Sequence, residues 1–250
     1  MKTLAQIKPQ AFAQPADEFC QVHNSQKVIS FGTGRVICTH CELEKAQASH
    51  RKNAHASIRE KHFHGAQIPA RHAQSGLKNY IADTQGRATA KASATAYIKH
   101  LRDGGKQNLV MVGSTGTGKT HLACATAHNL LDSGMFVRYV TSEHLANDIS
   151  SAYSRKDDTE KSAILRYTDL DVLIIDEYGL HDRSAKSPYI LECVHKVLYA
   201  RYDALKPTML ISNMSLNEIK SDLGDRLWSR FQDGGLSVIE CNWTDARTTK

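Results

Sequence analysis

Residues 113–120 read Gly-Ser-Thr-Gly-Thr-Gly-Lys-Thr, between an aliphatic run at Asn108–Val112 and a helix-forming stretch at Lys119–Leu131. No other feature limits the possible folds so tightly. Glycines at this spacing let successive backbone N–H groups turn toward one point without side-chain clashes, and a helix N-terminus adds partial positive charge. A strand, an anion cradle and a helix in that order make a phosphate-binding loop. Lys119 is placed to reach the β- and γ-phosphates of a nucleotide, and the Thr120 hydroxyl to ligate Mg2+. Gly113, Ser114, Thr115, Gly116, Thr117, Gly118, Lys119, Thr120 and the adjoining His121 are the expected nucleotide-binding positions.

Around this loop the pattern alternates. Strands are expected at Asn108–Val112, Phe136–Val140, Asp171–Ile175, Thr208–Ser212 and Ser237–Cys241. Helices are expected at Ala88–Leu101, Lys119–Leu131, from a Ser142 cap to about Ser154, at Pro188–Tyr202 and at Leu216–Leu223. Short, continuously apolar strands separated by helices predict an α/β fold with a parallel sheet covered on both faces. In such sheets ligands bind at the carboxyl ends of the strands. Val172-Leu-Ile-Ile-Asp176-Glu177 puts two acids at one such end. Asp176 is expected to hold Mg2+, and Glu177 to orient or deprotonate an attacking water. Asn213, after Thr208–Ser212, is in reach of the γ-phosphate. Arg226 and Arg230 share a helix face, either to meet a neighbouring subunit's nucleotide or simply to face solvent.

The chain has 250 residues, room for one or two domains; 41% are hydrophobic and 23% charged, enough for a packed core. The longest aliphatic runs, Leu109–Val112 and Val172–Ile175, are too short to span a bilayer. The first twenty residues contain Pro9, Pro15, Asp17 and Glu18 and no continuous apolar core, which argues against a signal peptide and for the cytosol. A net charge of +6 and thirteen histidines suit phosphate-rich partners, although ordinary solubility explains the charge equally well.

Six cysteines are present. Cys124, Cys193 and Cys241 are scattered and read as buried thiols. Cys20-x2-His23 and Cys38-x2-Cys41 form two ligand pairs, each able to bind one metal from a tight turn, and two such turns close a tetrahedron. Val28–Phe31 and Arg35–Ile37 between them read as a hairpin. A small zinc-ribbon-like module follows, with Cys20, His23, Cys38 and Cys41 on a structural Zn2+ and His40 pointing away. The expected organisation is a flexible arm at 1–15, a zinc-binding module at 16–45, a basic helix and linker at 46–78, and a nucleotide-binding domain at 79–250.

From about Gln67 onward the chain resembles the AAA+ ATPases, and within them the DnaC-like helicase loaders and the related IstB-like transposition ATPases. The likeness rests on Ile68-Pro-Ala-Arg71 with Asn79-Tyr80, the glycine loop, Ile175-Asp-Glu-Tyr-Gly179, Ile211-Ser-Asn213, Gly224-Asp-Arg-Leu with Ser-Arg-Phe231, and Asn242-Trp-Thr-Asp-Ala-Arg247. It implies a three-layer P-loop NTPase domain that hydrolyses ATP with Mg2+. It also implies that Asn213 is sensor I, Arg230 an arginine finger acting across a subunit boundary, and Arg247 the sensor II arginine. The family binds single-stranded DNA, which directs attention to Tyr153, Ser187 and Tyr189 as contacts through stacking and phosphate hydrogen bonds. A loader implies a replicative helicase of the DnaB type as partner and nucleotide-dependent self-association. Two alternatives remain open at this point: an IstB-like helper of transposition, and a zinc-ribbon DNA-binding adaptor whose nucleotide site is only a switch.

Overall fold

The computed structural model describes residues 13–30, 33–179 and 187–244, without the side chains of 13, 51–59 and 187. Arg247, most of the expected arm and the segment before Ser187 lie outside the described residues. The chain divides into two compact units, Met1–Ile58 and Arg59–Lys250.

The first unit contains a three-stranded antiparallel sheet of β1 (Ala13–Phe19), β2 (Gln26–Ser30) and β3 (Val36–Ile37), in that order. β2 and β3 form the expected hairpin, with Val28 opposite Ile37. β1 begins inside the segment that reads as an arm. Its Pro15 pairs with Val28, which is possible because β1 is an edge strand. A tight turn, closed by Asn24 N–H donating to Cys20 O at 2.9 Å, separates β1 from β2. Helix α1 (Thr39–Gly65) starts directly after Cys38. Among the described residues of this unit only Ala16, Cys20 and Cys38 are buried.

In the second unit, five strands form one parallel sheet: β4 (Asn108–Gly113), β5 (Val137–Thr141), β6 (Val172–Tyr178), β7 (Thr208–Ser212) and β8 (Leu236–Cys241). Their order is β5-β6-β7-β4-β8. The strands read as unbroken apolar runs because both faces are buried. Leu109 and Met111 of β4 enter one core, while Val110 and Val112 enter the other. The first core is shared with α2 (Gln85–Arg102) and α3 (Lys119–Asp132). The second holds α4 (Ser142–Ala152), α5 (Glu160–Thr168), α6 (Ser187–Asp203) and α7 (Leu216–Phe231). This is the three-layer P-loop arrangement expected from the sequence.

Three local differences have physical causes. α4 is capped by Thr141, whose hydroxyl accepts from His144 N–H, so the cap lies one residue before Ser142. α5 has no counterpart in the expected elements; it is short and is started by a Thr159–Ser162 capping box rather than by the commoner Glu or Gln partner. α7 does not stop near Leu223. Gly224 breaks it at φ 68°, ψ 160°, and a second segment continues to Phe231 with Arg226 and Arg230.

At the amino ends of β6 and β7, fully buried Arg201 donates to Thr208 Oγ1 at 2.9 Å, Leu170 O at 3.1 Å and Pro207 O at 2.7 Å, and also to Tyr167 O. Burial pushes its guanidinium down to about 9, so it remains charged at neutral pH. Among the described residues no helix is long and apolar enough to cross a membrane.

Candidate functional site

The glycine loop emerges from the carboxyl end of β4 and enters α3 through Gly118. Its start is held by close approach. A Cβ on Gly113, at φ 138°, would lie 2.3 Å from Cys241 O on neighbouring β8. Behind the loop, Trp243 Nε1 donates to Thr117 O at 2.9 Å, and Thr117 Oγ1 donates to Ser114 O at 2.9 Å. His121 Nε2 lies 3.1 Å from both Gly76 O and Asn79 Oδ1. Asn79 Oδ1 already accepts Gly76 N–H, so Nε2 is the donor, and it pins the 76–79 loop to α3.

Lys119, Thr120, Asp176 and Asn213 converge in front of the loop. Lys119 Nζ donates to Gly113 O and Ser114 O, each at 2.7 Å, and to Asn213 Oδ1 at 2.8 Å. Thr120 Oγ1 donates to Asp176 Oδ2 at 2.8 Å. That carboxylate is 4% exposed and also accepts Glu177 N–H at Oδ1, 2.7 Å away. Between Ile175 and Tyr178 the β6–β7 register slips, and Glu177 adopts φ 58°. The bulge turns Glu177 outward while Asp176 stays buried. Partial burial and the adjacent Asp176 charge raise the Glu177 carboxyl above its ordinary value. The resulting cleft of about 720 Å³ is lined by Thr115–His121, Asp176–Gly179, Ser212–Met214, Arg71, His72 and Glu218. The cleft thus brings together the glycine loop, the Lys119 ammonium, the Thr120 hydroxyl on the Asp176 carboxylate, and the Glu177 carboxylate.

The remaining expected residues lie elsewhere. Arg230 is not on the cleft; its guanidinium carbon sits 5.1 Å from the ring centre of Tyr199 and 5.3 Å from that of Tyr202, a cation–π sandwich on α6. Tyr153 is 67% exposed at the end of α4, with its hydroxyl on Glu160; Tyr189 is 39% exposed on α6. Neither lines the cleft. Arg247 and the Ser187 side chain are outside the described residues.

In the first unit Cys20, His23, Cys38 and Cys41 come together, with all four donor atoms within 4.8 Å of one another. Cys20 Sγ is 3.7 Å from Cys41 Sγ, and His23 Nδ1 is 3.3 Å from Cys41 Sγ and 3.8 Å from Cys38 Sγ. A tetrahedron with Zn–S bonds of about 2.3 Å has edges of about 3.8 Å, so the donor set fits zinc closely. His23 Nε2 pairs with Glu44 at 3.1 Å, the kind of outer carboxylate that orients a ligating imidazole. His40 is not among the four donors; its ring stacks on His23 at 5.6 Å.

The family model for IstB-like ATP binding proteins matches residues 3–230. The chain belongs to this family. This IstB-like protein is similar to the replicative helicase loader DnaC of Escherichia coli K12, with 25% identity over 186 residues, 74% of each chain. A crystal structure of the DnaC helicase loader matches it with a TM-score of 0.59 and 23% identity, over 68% of this chain and 99% of that one. DnaA from Aquifex aeolicus, bound to AMPPCP, matches with a TM-score of 0.55 and 25% identity, over 67% of this chain and 50% of that one. The IstB-like protein thus has the AAA+ fold, and ATP is the ligand its family binds.

Sequence reasoning missed two residues at the site. Trp243 appeared only as part of a motif, and nothing local revealed that its indole reaches Thr117. Tyr139 of β5 read as an ordinary strand aromatic, yet its hydroxyl donates to Asp176 Oδ2 at 2.7 Å. Only the pairing of β5 with β6 creates that contact.

Proposed function

We propose that this protein is an ATP-hydrolysing DNA replication factor that binds single-stranded DNA and loads a replicative helicase of the DnaB type. The observation that carries the hydrolytic reading is the convergence of Lys119, Thr120, Asp176, Glu177 and Asn213 in one cleft. The backbone N–H groups of Gly113–Thr120 and the Lys119 ammonium hold the phosphates. Thr120 and Asp176 are the residues that would hold Mg2+, which would supply charge neutralisation to the phosphates. Glu177 accepts the proton of the attacking water, and Asn213 orients it or the γ-phosphate. Arg230 and Arg247 act in the assembled protein, Arg230 from a neighbouring subunit after leaving its tyrosine sandwich.

The loader assignment is supported by similarity to DnaC over the same share of both chains. In this reading residues 16–45 form a module held by structural Zn2+ on Cys20, His23, Cys38 and Cys41, and that module engages the helicase. Residues 79–250 are the ATPase, and Tyr153, Ser187 and Tyr189 contact single-stranded DNA. The transposition reading uses the same cleft but gains nothing from the DnaC similarity.

Co-purification tests the assignment. The full chain with ATP should retain the cognate DnaB-type helicase, and ATP turnover should change when single-stranded DNA is added. Absence of a complex under every nucleotide condition removes the loader reading. Nucleotide binding without turnover leaves only the adaptor with a switch.

A further inference from the structure

Asp176 is buried, carries the charge expected to meet Mg2+, and depends on three donors. Glu177 N–H serves Oδ1 at 2.7 Å. Thr120 Oγ1, at 2.8 Å, and Tyr139 OH, at 2.7 Å, both serve Oδ2. Two of these come with the motif: Thr120 from the glycine loop and Glu177 from the strand itself. The third does not. Tyr139 stands on edge strand β5, paired with Ile174, while Thr141 pairs with Asp176. Its side chain therefore leans along the strand to reach a carboxylate two residues further on.

The surroundings give the hydroxyl one task. Tyr139 is 7% exposed and belongs to the apolar core containing Val137, Val172, Ile174 and Cys124. Phenylalanine would fill that core equally well. A buried phenol in such a place needs a hydrogen-bond partner, and Asp176 is the one it has. β5 is itself anchored at this residue, since Tyr139 N–H donates to Ala66 O at 2.8 Å on the outer edge of the sheet. The phenol thus acts on Asp176 from a fixed backbone position, independent of the loop that carries Thr120.

Mg2+ demands near-ideal octahedral geometry, so the orientation of each oxygen around it matters. The Thr120 hydroxyl can offer its lone pair to the metal while keeping its proton on Asp176. Tyr139 cannot ligate anything from inside the core; it only fixes the carboxylate. We infer that Tyr139 is a positioning residue for Mg2+, holding the Asp176 carboxylate at the angle from which metal and nucleotide are taken up together. The inference rests on the proposed nucleotide site and deepens it.

The test is a titration of the full chain with magnesium chloride at a fixed concentration of a fluorescent ATP analogue, read as nucleotide binding rather than turnover. Tyr139→Phe should leave affinity in EDTA within about twofold of the parent and raise the Mg2+ midpoint about tenfold, the usual effect of losing one hydrogen bond to a charged group. Tyr167→Phe is the control. It removes a comparable bond, Tyr167 OH to Asp148 at 3.2 Å, away from the cleft, and should leave the midpoint where the parent has it. A Tyr139→Phe midpoint equal to or below the parent's overturns the role of Tyr139 while leaving the metal site standing. Equal shifts in both variants overturn it too, by showing a general loss of packing. A parent whose nucleotide affinity ignores Mg2+ overturns the metal reading, and the inference with it.

Discussion

Replacing Gly113 with alanine separates two reasons for the first glycine of the loop. One is the backbone, because φ 138° is a conformation that only glycine adopts readily; forcing alanine into it costs about 1–3 kcal/mol. The other is the neighbour. The new Cβ would stand 2.3 Å from Cys241 O, where ordinary contact begins at 3.4 Å, so β8 must withdraw by about 1 Å or Gly113 must move. Either movement weakens the β4–β8 pairing at its Gly113–Cys241 end, at about 1 kcal/mol for each hydrogen bond lost. Together these give about 3–5 kcal/mol, on the order of 10 °C in Tm for a unit of this size. Gly134→Ala is the matched control. Gly134 also has positive φ, 88°, but nothing lies within 4 Å of its Cβ position, so only the backbone cost of about 1–2 kcal/mol remains. Thermal unfolding followed by circular dichroism should rank Gly113→Ala well below Gly134→Ala, with nucleotide affinity also reduced in the former. Equal shifts for the two variants would refute the claim that β8 presses on the loop.

Four further outcomes are expected. Lys119→Ala should weaken nucleotide binding by about tenfold or more in a fluorescence titration, and should also lower Tm without nucleotide, because Gly113 O, Ser114 O and Asn213 Oδ1 lose their buried donor. Glu177→Gln should bind ATP as the parent does but hydrolyse it about 10²–10⁴-fold more slowly; normal turnover would show that the base lies elsewhere. Cys38→Ser, or removal of metal by a chelator, should lower zinc from about one per chain to near zero by elemental analysis and open the first unit to protease while nucleotide binding persists. Arg166 and Ser162 hold the Asp158 carboxyl well below the usual range. Its contribution is therefore complete above about pH 4 and lost as pH falls below that. Asp158→Asn should flatten the acid limb of stability measured by urea midpoint against pH, and parallel curves for parent and variant would refute this.

Much of the site was legible because its chemistry is local. The glycine loop, the Asp176-Glu177 strand end and the paired zinc ligands each sit in a few consecutive residues whose spacing has one main physical use. The parallel sheet was legible because strands buried on both faces lose their polar alternation, as Leu109–Val112 and Val172–Ile175 do. What escaped were features created by distant parts of the chain. Pro15 argues against a strand until β1 is known to be an edge. The helix expected at Leu216–Leu223 and the helix face expected for Arg226 and Arg230 are two segments of one α7, broken at Gly224, with Leu227, Trp228 and Phe231 buried in the second. The hydroxyl of Tyr139 and the indole of Trp243 gain their partners only when strands far apart in sequence lie side by side.

The position of β4 also bears on the order in which the chain is made. The strand that launches the glycine loop is the first of its sheet to leave the ribosome, yet both its neighbours, β7 and β8, are translated much later. Trp243, which holds Thr117 from behind, comes 126 positions after it. At about 5–20 residues per second the loop waits about 6–25 seconds for its last support. Until β7 is made β4 has unpaired edges on both sides, and its β8 edge stays open after that, so a nascent chain halted before residue 236 presents the nucleotide motif in sequence with only part of the scaffold that shapes it. Nucleotide binding is therefore a late event in synthesis, and the apolar run Leu109–Val112 is the segment most in need of shelter until then.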